Sequence, residues 1–212
     1  MHADILGSAP IDGWLVIGWF TEDYTKLARA LSDNLNRLGI PHHLYARVLD
    51  PGGWAANTRR KPEVLFSAYA HHPGTTLLMF DVDMEVIGDI SGIASINGDV
   101  VAPSGSKRAD CQPWQRRKRR IQFSSRVMVW KSNDAAKSLA RLWLEECRKP
   151  RITYHDEVAF GEAYVRSEGV AVSRLPPRFS GAQKHNAPKD AVIIHDSEYD
   201  KRRKWYSKIF SP

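Results

Sequence analysis

Apolar residues fall along this chain in two alternating signatures, short unbroken runs and repeats at helical spacing. Trp14-Leu-Val-Ile-Gly-Trp-Phe20 is an unbroken run rich in strand formers, and after it Leu27, Ala28, Leu31, Leu35 and Leu38 recur on one helical face until Gly39 closes the helix. His43 to Val48 reads as a second strand, which completes a strand, helix, strand unit. Pro62 suits the first turn of a helix carrying Val64, Leu65, Ala68 and Tyr69, and His71-His72-Pro73-Gly74 ends it. A buried strand, Thr75 to Phe80, runs straight into Asp81-Val82-Asp83. Further strands are expected at Asp99 to Ala102 and Ser125 to Trp130. Asn133 or Asp134 then caps a helix whose Ala136, Leu139, Ala140 and Trp143 share a face. A shorter helix follows from about Glu157 to Val165, Gly169 breaks it, and Val170 to Val172 and Val192 to Ile194 supply two short strands. The pattern is α/β.

Length and composition narrow this to one folded domain spanning 1–212. The chain has 212 residues, 42% of them hydrophobic, with seven Trp, seven Tyr and seven Phe, enough for a full core and too apolar for disorder. No apolar run approaches the roughly 18–20 residues of a membrane span, and Met1 to Pro10 lacks a signal peptide's basic start and apolar stretch, so a cytoplasmic protein is expected. Cys111 and Cys147, the two cysteines, form no CxxC and no Cys/His cluster; a disulfide scaffold and a structural zinc site are not indicated. The net charge of +7 is unevenly placed: residues 1–105 carry 7 Lys+Arg and 12 Asp+Glu, and residues 106–212 carry 24 and 12. A basic second half, net +12, raises the chance of a polyanionic partner.

The acidic pair changes the picture most. Two carboxylates one residue apart at the end of a buried strand are costly unless neutralised, and a divalent cation is the natural partner. In open α/β sheets ligands bind beyond the carboxyl ends of the strands, where Asp81 and Asp83 are expected. Hard oxygen ligands there suit Mg²⁺ or Mn²⁺, ions that commonly bridge protein carboxylates to substrate phosphates. The competing reading has both aspartates merely capping a turn.

At these residues the chain resembles a family. Leu77-Leu-Met-Phe-Asp-Val-Asp-Met-Glu-Val86 looks like the D-x-D strand of GT-A-fold glycosyltransferases of the glycogenin-like and lipopolysaccharide galactosyltransferase-like kind. Lys61-Pro62 is similar to the family's lysine ahead of the preceding helix, and Tyr154-His-Asp-Glu-Val-Ala-Phe160 to its D-Q motif. Leu175-Pro-Pro-Arg-Phe179 is similar to its leucine-proline step, and His195-x-x-Glu198-x-x-Lys201 resembles its C-terminal H-x-x-G-x-x-K-P-W. The resemblance implies a GT-A-like domain, with a mixed, mostly parallel sheet flanked by helices. It implies transfer from a nucleotide-sugar, a UDP-sugar favoured, with retained configuration. Asp81 and Asp83 would hold the metal and contact the nucleotide, His195 would be a third ligand, Lys201 would meet the diphosphate, and Lys61 would belong to the donor site. Asp156, with Glu157 in place of the motif's glutamine, would lie beside the donor sugar as the catalytic pair. The C-terminal motif departs from the family at Glu198, where glycine is expected, and in its missing or displaced Pro-Trp.

The chemistry suits these residue types in any case, since a divalent ion and a lysine stabilise the charge on a departing diphosphate. Asp156 also has a plain role as N-cap of the helix it opens, worth about 1 kcal/mol. Arg116, Arg117, Lys118, Arg119 and Arg120 form an unbroken basic run that reads either as a solvated loop or as an acceptor site for a polyanion such as DNA or a modified base, with a saccharide acceptor otherwise. Trp54 and Trp114 are candidates to stack bases or sugars, or simply to pack. A nucleotidyltransferase would need a glycine-rich basic loop that Ile17-Gly-Trp-Phe-Thr-Glu22 lacks. A Mg²⁺-dependent phosphohydrolase of the haloacid dehalogenase type is disfavoured by Met84-Glu85 after the second aspartate, and a dinucleotide oxidoreductase by the missing G-x-G-x-x-G. A non-enzymatic nucleic-acid binder would explain the basic half and leave Asp81 and Asp83 without a purpose.

Overall fold

A computed structural model describes residues 3–10, 13–103, 123–150 and 155–195. These residues form ten strands and five α-helices, in chain order β1 Ile5–Leu6, β2 Trp14–Phe20, α1 Thr25–Arg37, β3 His42–Ala46, α2 Gly53–Thr58, α3 Lys61–His71, β4 Thr76–Phe80, β5 Met84–Val86, β6 Val100–Ala102, β7 Val127–Trp130, α4 Asp134–Arg148, α5 Asp156–Arg166, β8 Val172–Arg174, β9 Ala182–Gln183 and β10 Ile193–His195.

Seven strands form one mixed sheet in the order β1-β3-β2-β4-β7-β6-β8, and β5-β10-β9 form a small second sheet. In the large sheet β2, β3, β4, β6 and β8 point one way, while β1 and β7 run against them. Alternation along the central strands sorts two cores. Leu15, Ile17, Leu77, Met79, Met128 and Trp130 face α3, α4 and α5, where Val64, Leu65, Leu139, Trp143 and Phe160 meet them. Val16, Leu78, Phe80, Val127 and Val129 face the other way, onto Leu31 and Leu35 of α1 and onto the small sheet through Met84, Val86 and Ile193. Burial on both faces explains why these strands read as unbroken apolar runs.

Register then positions the polar residues. Phe80 pairs with Val127, so the antiparallel β7 begins where β4 ends, and Asp81 N–H donates to the Arg126 carbonyl at 2.9 Å. The chain turns through Val82 and Asp83, with Met84 N–H donating to the Asp81 carbonyl at 3.2 Å, and enters β5, whose Met84 pairs with His195 of β10. Asp81-Val82-Asp83 therefore links the two sheets, with Ser124-Ser125-Arg126 on one side and His195 on the other.

Most expected elements are present, with shifted ends. The second strand is His42–Ala46, the last is Ile193–His195, and the strand expected at Val170 to Val172 is Val172–Arg174. Asn133 caps α4, its side chain accepting from Ala136 N–H. Cys147 is buried and unbridged, and burial pushes its thiol pKa up. Among the described residues no helix is long and apolar enough to cross a membrane.

Candidate active site

Three elements deliver one ionic cluster. Lys61 is the first residue of α3 and Asp156 the first of α5, and Asp81 follows the last residue of β4. Lys61 Nζ lies 2.7 Å from Asp81 Oδ1, 2.9 Å from Asp156 Oδ2 and 2.8 Å from Ser125 Oγ. An ammonium has three N–H donors, and all three are taken up by protein acceptors. Lys61 thus acts on Asp81 and Asp156 rather than reaching outward. Ser125 Oγ in turn donates to Asp156 Oδ2 at 2.5 Å. Lys61 is 4% exposed and Asp156 2%, while the Asp81 side chain keeps a partly exposed edge.

This corrects one expectation. The N-cap of α5 is His155, and Asp156 stands one position inside the helix with its carboxylate directed to Lys61 and Ser125. Trp143 Nε1 donates to the Asp156 carbonyl at 2.9 Å, so the aromatic core grips the same residue from behind.

The charges respond to their surroundings. Burial works against the ionised form of Asp156, but Lys61 and the Ser125 hydroxyl outweigh it and hold its pKa below the usual carboxylate range. Burial also raises Asp81, and with Asp83 beside it the net shift is upward, to about 6, despite Lys61. Burial disfavours the Lys61 ammonium, yet Asp156 and Asp81 keep it firmly protonated.

A second layer completes the floor. Glu157 Oε1 accepts from Ser124 Oγ at 2.9 Å and from Ser125 N–H at 3.2 Å, and Arg126 Nε donates to Ser124 Oγ at 2.9 Å. Arg126 Nη1 lies 3.3 Å from Nε2 and 3.5 Å from Nδ1 of His195. His195 is 5% exposed; burial and the neighbouring Arg126 depress its pKa, against the Gly181 and Ala182 backbone and Asp81. Four carboxylates, Asp81, Asp83, Asp156 and Glu157, meet two permanent cations, Lys61 and Arg126, leaving two negative charges uncompensated by these six residues.

A hard divalent ion fits the carboxylate part of this set. Such ions are commonly held by one or two carboxylates, the remaining positions going to phosphate and water, and Asp81 and Asp83 supply that pair. An all-protein cage is another matter, because among the described residues no group of three or more His, Cys, Asp or Glu side chains is arranged to hold a metal.

Sequence reasoning brought Lys61, Asp81, Asp83, Asp156, Glu157 and His195 into consideration, and the structure gathers them at one end of the sheet. It missed Ser124, Ser125 and Arg126 as site residues. Their signal was a polar triplet abutting an apolar strand, informative only once that strand is known to run antiparallel to β4. Trp54, on α2, is 45% exposed and its ring centroid is 5.9 Å from that of His155, at the rim of the cluster. Lys201, Arg116, Arg117, Lys118, Arg119, Arg120 and Trp114 lie outside the described residues.

No family model and no curated protein matches the chain. Solved structures do. A glycosyltransferase involved in glycosylation of the major capsid of PBCV-1 aligns with a TM-score of 0.60 at 15% identity, covering 90% of this chain and 99% of that one. GlyE, a glycosyltransferase of Streptococcus pneumoniae TIGR4, aligns at 0.58 and 13% identity over 94% of this chain, which spans only 61% of GlyE. The galactosyltransferase LgtC, solved with donor and acceptor sugar analogs, aligns at 0.54 and 9% identity over 85% of this chain and 86% of its own. The fold is GT-A-like, with a seven-stranded mixed sheet between helices.

Proposed function

We propose that this chain is a glycosyltransferase that moves a sugar from a nucleoside-diphosphate sugar to an acceptor hydroxyl or amine, with Asp81 and Asp83 at the donor diphosphate. The observation that carries the reading is the placement of these two carboxylates. They sit where β4 opens onto the linkage between the two sheets, with Asp81 fixed by a buried lysine. The GT-A-like fold supports it, because ligands of such α/β sheets bind beyond the carboxyl ends of the strands.

In the transfer, the bond between the anomeric carbon and the diphosphate oxygen breaks, and that carbon bonds to the acceptor atom. The diphosphate departs with the electron pair, and the acceptor's proton passes to it or to solvent. Mn²⁺ or Mg²⁺ held by Asp81 and Asp83 would supply positive charge where the leaving oxygen turns negative. The chain's own work is positioning. Lys61 fixes one oxygen of Asp81, whose side chain is partly exposed, and Asp156 holds Lys61 in place. Glu157 fixes Ser124 and the Ser125 backbone, so the floor on which the sugar would rest is rigid.

Retention of configuration, a UDP rather than GDP donor, and a diphosphate contact from Lys201 belong to this proposal and rest on the motif resemblance. An anionic acceptor is read from charge alone: the net +12 of residues 106–212 favours one, DNA or a modified base included, with Arg116 to Arg120 as its contact. Trp54 beside His155 offers a flat apolar face that favours a saccharide. Calorimetric titration with UDP- and GDP-sugars separates donor classes, and acceptor transfer assays with Arg116 to Arg120 neutralised separate acceptor classes.

A further inference from the structure

Arg126 is held in an uncommon way. Half-buried side chains with a permanent charge normally find an opposite charge, and carboxylates are plentiful here, yet among the described residues none lies within salt-bridge distance of its guanidinium. Its partners are neutral: Ser124 Oγ at Nε, and the Gly181 carbonyl at 3.4 Å and the His195 ring at Nη1. Among the described residues Nη2 has no hydrogen bond. A planar fork whose Nη2 makes no hydrogen bond among the described residues, oriented by neutral groups and placed one backbone hydrogen bond from Asp81, matches the two-oxygen geometry of a phosphate.

His195 bears on the same point. The motif resemblance gives one of its nitrogens to a metal, but Arg126 Nη1 is within hydrogen-bonding reach of both. A metal on either nitrogen would share the small ring with a permanent positive charge. A neutral imidazole, in contrast, has one acceptor nitrogen well suited to a guanidinium donor.

We infer that Arg126 is the protein's own cation for the donor diphosphate, and that His195 and Ser124 are positioning residues that aim it. This rests on the nucleotide-sugar reading and reassigns His195 within it. Arg126 would engage the phosphates whether or not a divalent ion is present, so part of the diphosphate affinity would be independent of metal.

The test is calorimetric binding of UDP, with inorganic pyrophosphate as a second probe, in EDTA and in Mn²⁺. The proteins are wild type, Arg126→Met, Arg126→Lys, His195→Gln and the Arg126→Met/His195→Gln double variant, with circular dichroism to show that each is folded. Wild type is expected to bind UDP in EDTA, Arg126→Met to bind at least tenfold more weakly, and Arg126→Lys to fall between. His195→Gln should weaken binding in EDTA as well, and the double variant should be no weaker than Arg126→Met, because both changes remove one interaction. Binding to Arg126→Met equal to wild type, an effect of His195→Gln seen only with Mn²⁺, or wild-type binding that requires Mn²⁺ would each overturn the inference while leaving the transferase reading standing. Wild type that binds neither probe in either condition would overturn both.

Discussion

Lys61 and Asp156 each open a helix, α3 and α5, and their side chains meet at 2.9 Å in the interior. A helix N-terminus carries partial positive charge, which welcomes Asp156 and repels Lys61. The lysine stays there because two carboxylates and a serine accept hydrogen bonds from its three N–H groups. The pair therefore ties the entry points of two helices to the end of β4, and any movement of one element is felt at Asp81.

Removing the lysine should be expensive. Lys61→Met leaves Asp156 buried without its counter-ion, and breaking a buried pair from one side typically costs about 3–5 kcal/mol. Urea unfolding should show that loss in the midpoint. Lys61→Arg should rescue little of it, since the planar guanidinium cannot reproduce the three-way geometry of the ammonium. A loss below about 1 kcal/mol, the size of an exposed pair, would mean that the cluster is solvated.

Asp81 gives the site a pH signature. Its pKa in the folded protein is about 6, above its ordinary 3.8. Between about pH 4 and 6 the folded chain binds a proton that the unfolded chain has released, so this residue's contribution to stability is present below that window and is lost as pH rises through about 6. A cation needs the ionised form, and Mn²⁺-dependent donor affinity should rise over the same window. His195, whose pKa is depressed, runs the other way: the unfolded chain binds its proton first, so stability gains as pH rises toward the ordinary histidine value and levels off above it. Calorimetry at pH 5, 6 and 7 reads the binding effect, and Asp81→Asn should abolish the pH step along with most of the affinity.

Gly18 couples the core to the site. A Cβ there would lie 2.9 Å from the Phe80 carbonyl and 3.1 Å from Leu44 Cδ2. Gly18→Ala should cost about 1–3 kcal/mol, as overpacking does. Because Phe80 precedes Asp81, it should weaken donor binding more than an equally destabilising change at Leu35 on α1. Equal effects on binding would separate the β2–β4 contact from the site.

Trp143 tests the rear support. Its ring stacks on Trp130 at 5.6 Å and its Nε1 donates to the Asp156 carbonyl. Trp143→Phe keeps most of the apolar contact but leaves that buried carbonyl short of a donor, a loss of about 1–3 kcal/mol in thermal unfolding. Trp143→Ala, which also leaves a cavity, should cost more, about 3–5 kcal/mol.

Long elements and local chemistry were legible in the sequence. The apolar runs Trp14 to Phe20 and Thr75 to Phe80 read as buried strands and are β2 and β4, the cap read as Asn133 or Asp134 is Asn133, and Asp81 and Asp83 read as following the end of a buried strand. Short elements were not. β1 and β9 are two residues each, and β5 has Glu85 between two apolar residues, too little for periodicity to register. α2, with Asn57 buried and Trp54 exposed, has an inverted pattern that no hydrophobic template finds. Val170 to Val172 looked like the strand because it is apolar, whereas pairing with β6 places Val172, Ser173 and Arg174 in register. Lys61 and Asp156 were recognisable only through the order of motifs. The contact of Arg126 with His195 needed the antiparallel direction of β7 and the second sheet, neither of which local sequence encodes.

The most direct test of the donor-site assignment is titration of the purified protein with UDP- and GDP-sugars, with and without Mn²⁺, for wild type and Asp83→Ala. Wild type should bind one donor class more tightly with Mn²⁺, and Asp83→Ala should lose that metal-dependent gain while remaining folded. A wild-type protein that binds no nucleotide-sugar under either condition, or an Asp83→Ala variant with undiminished metal-dependent binding, would contradict the assignment.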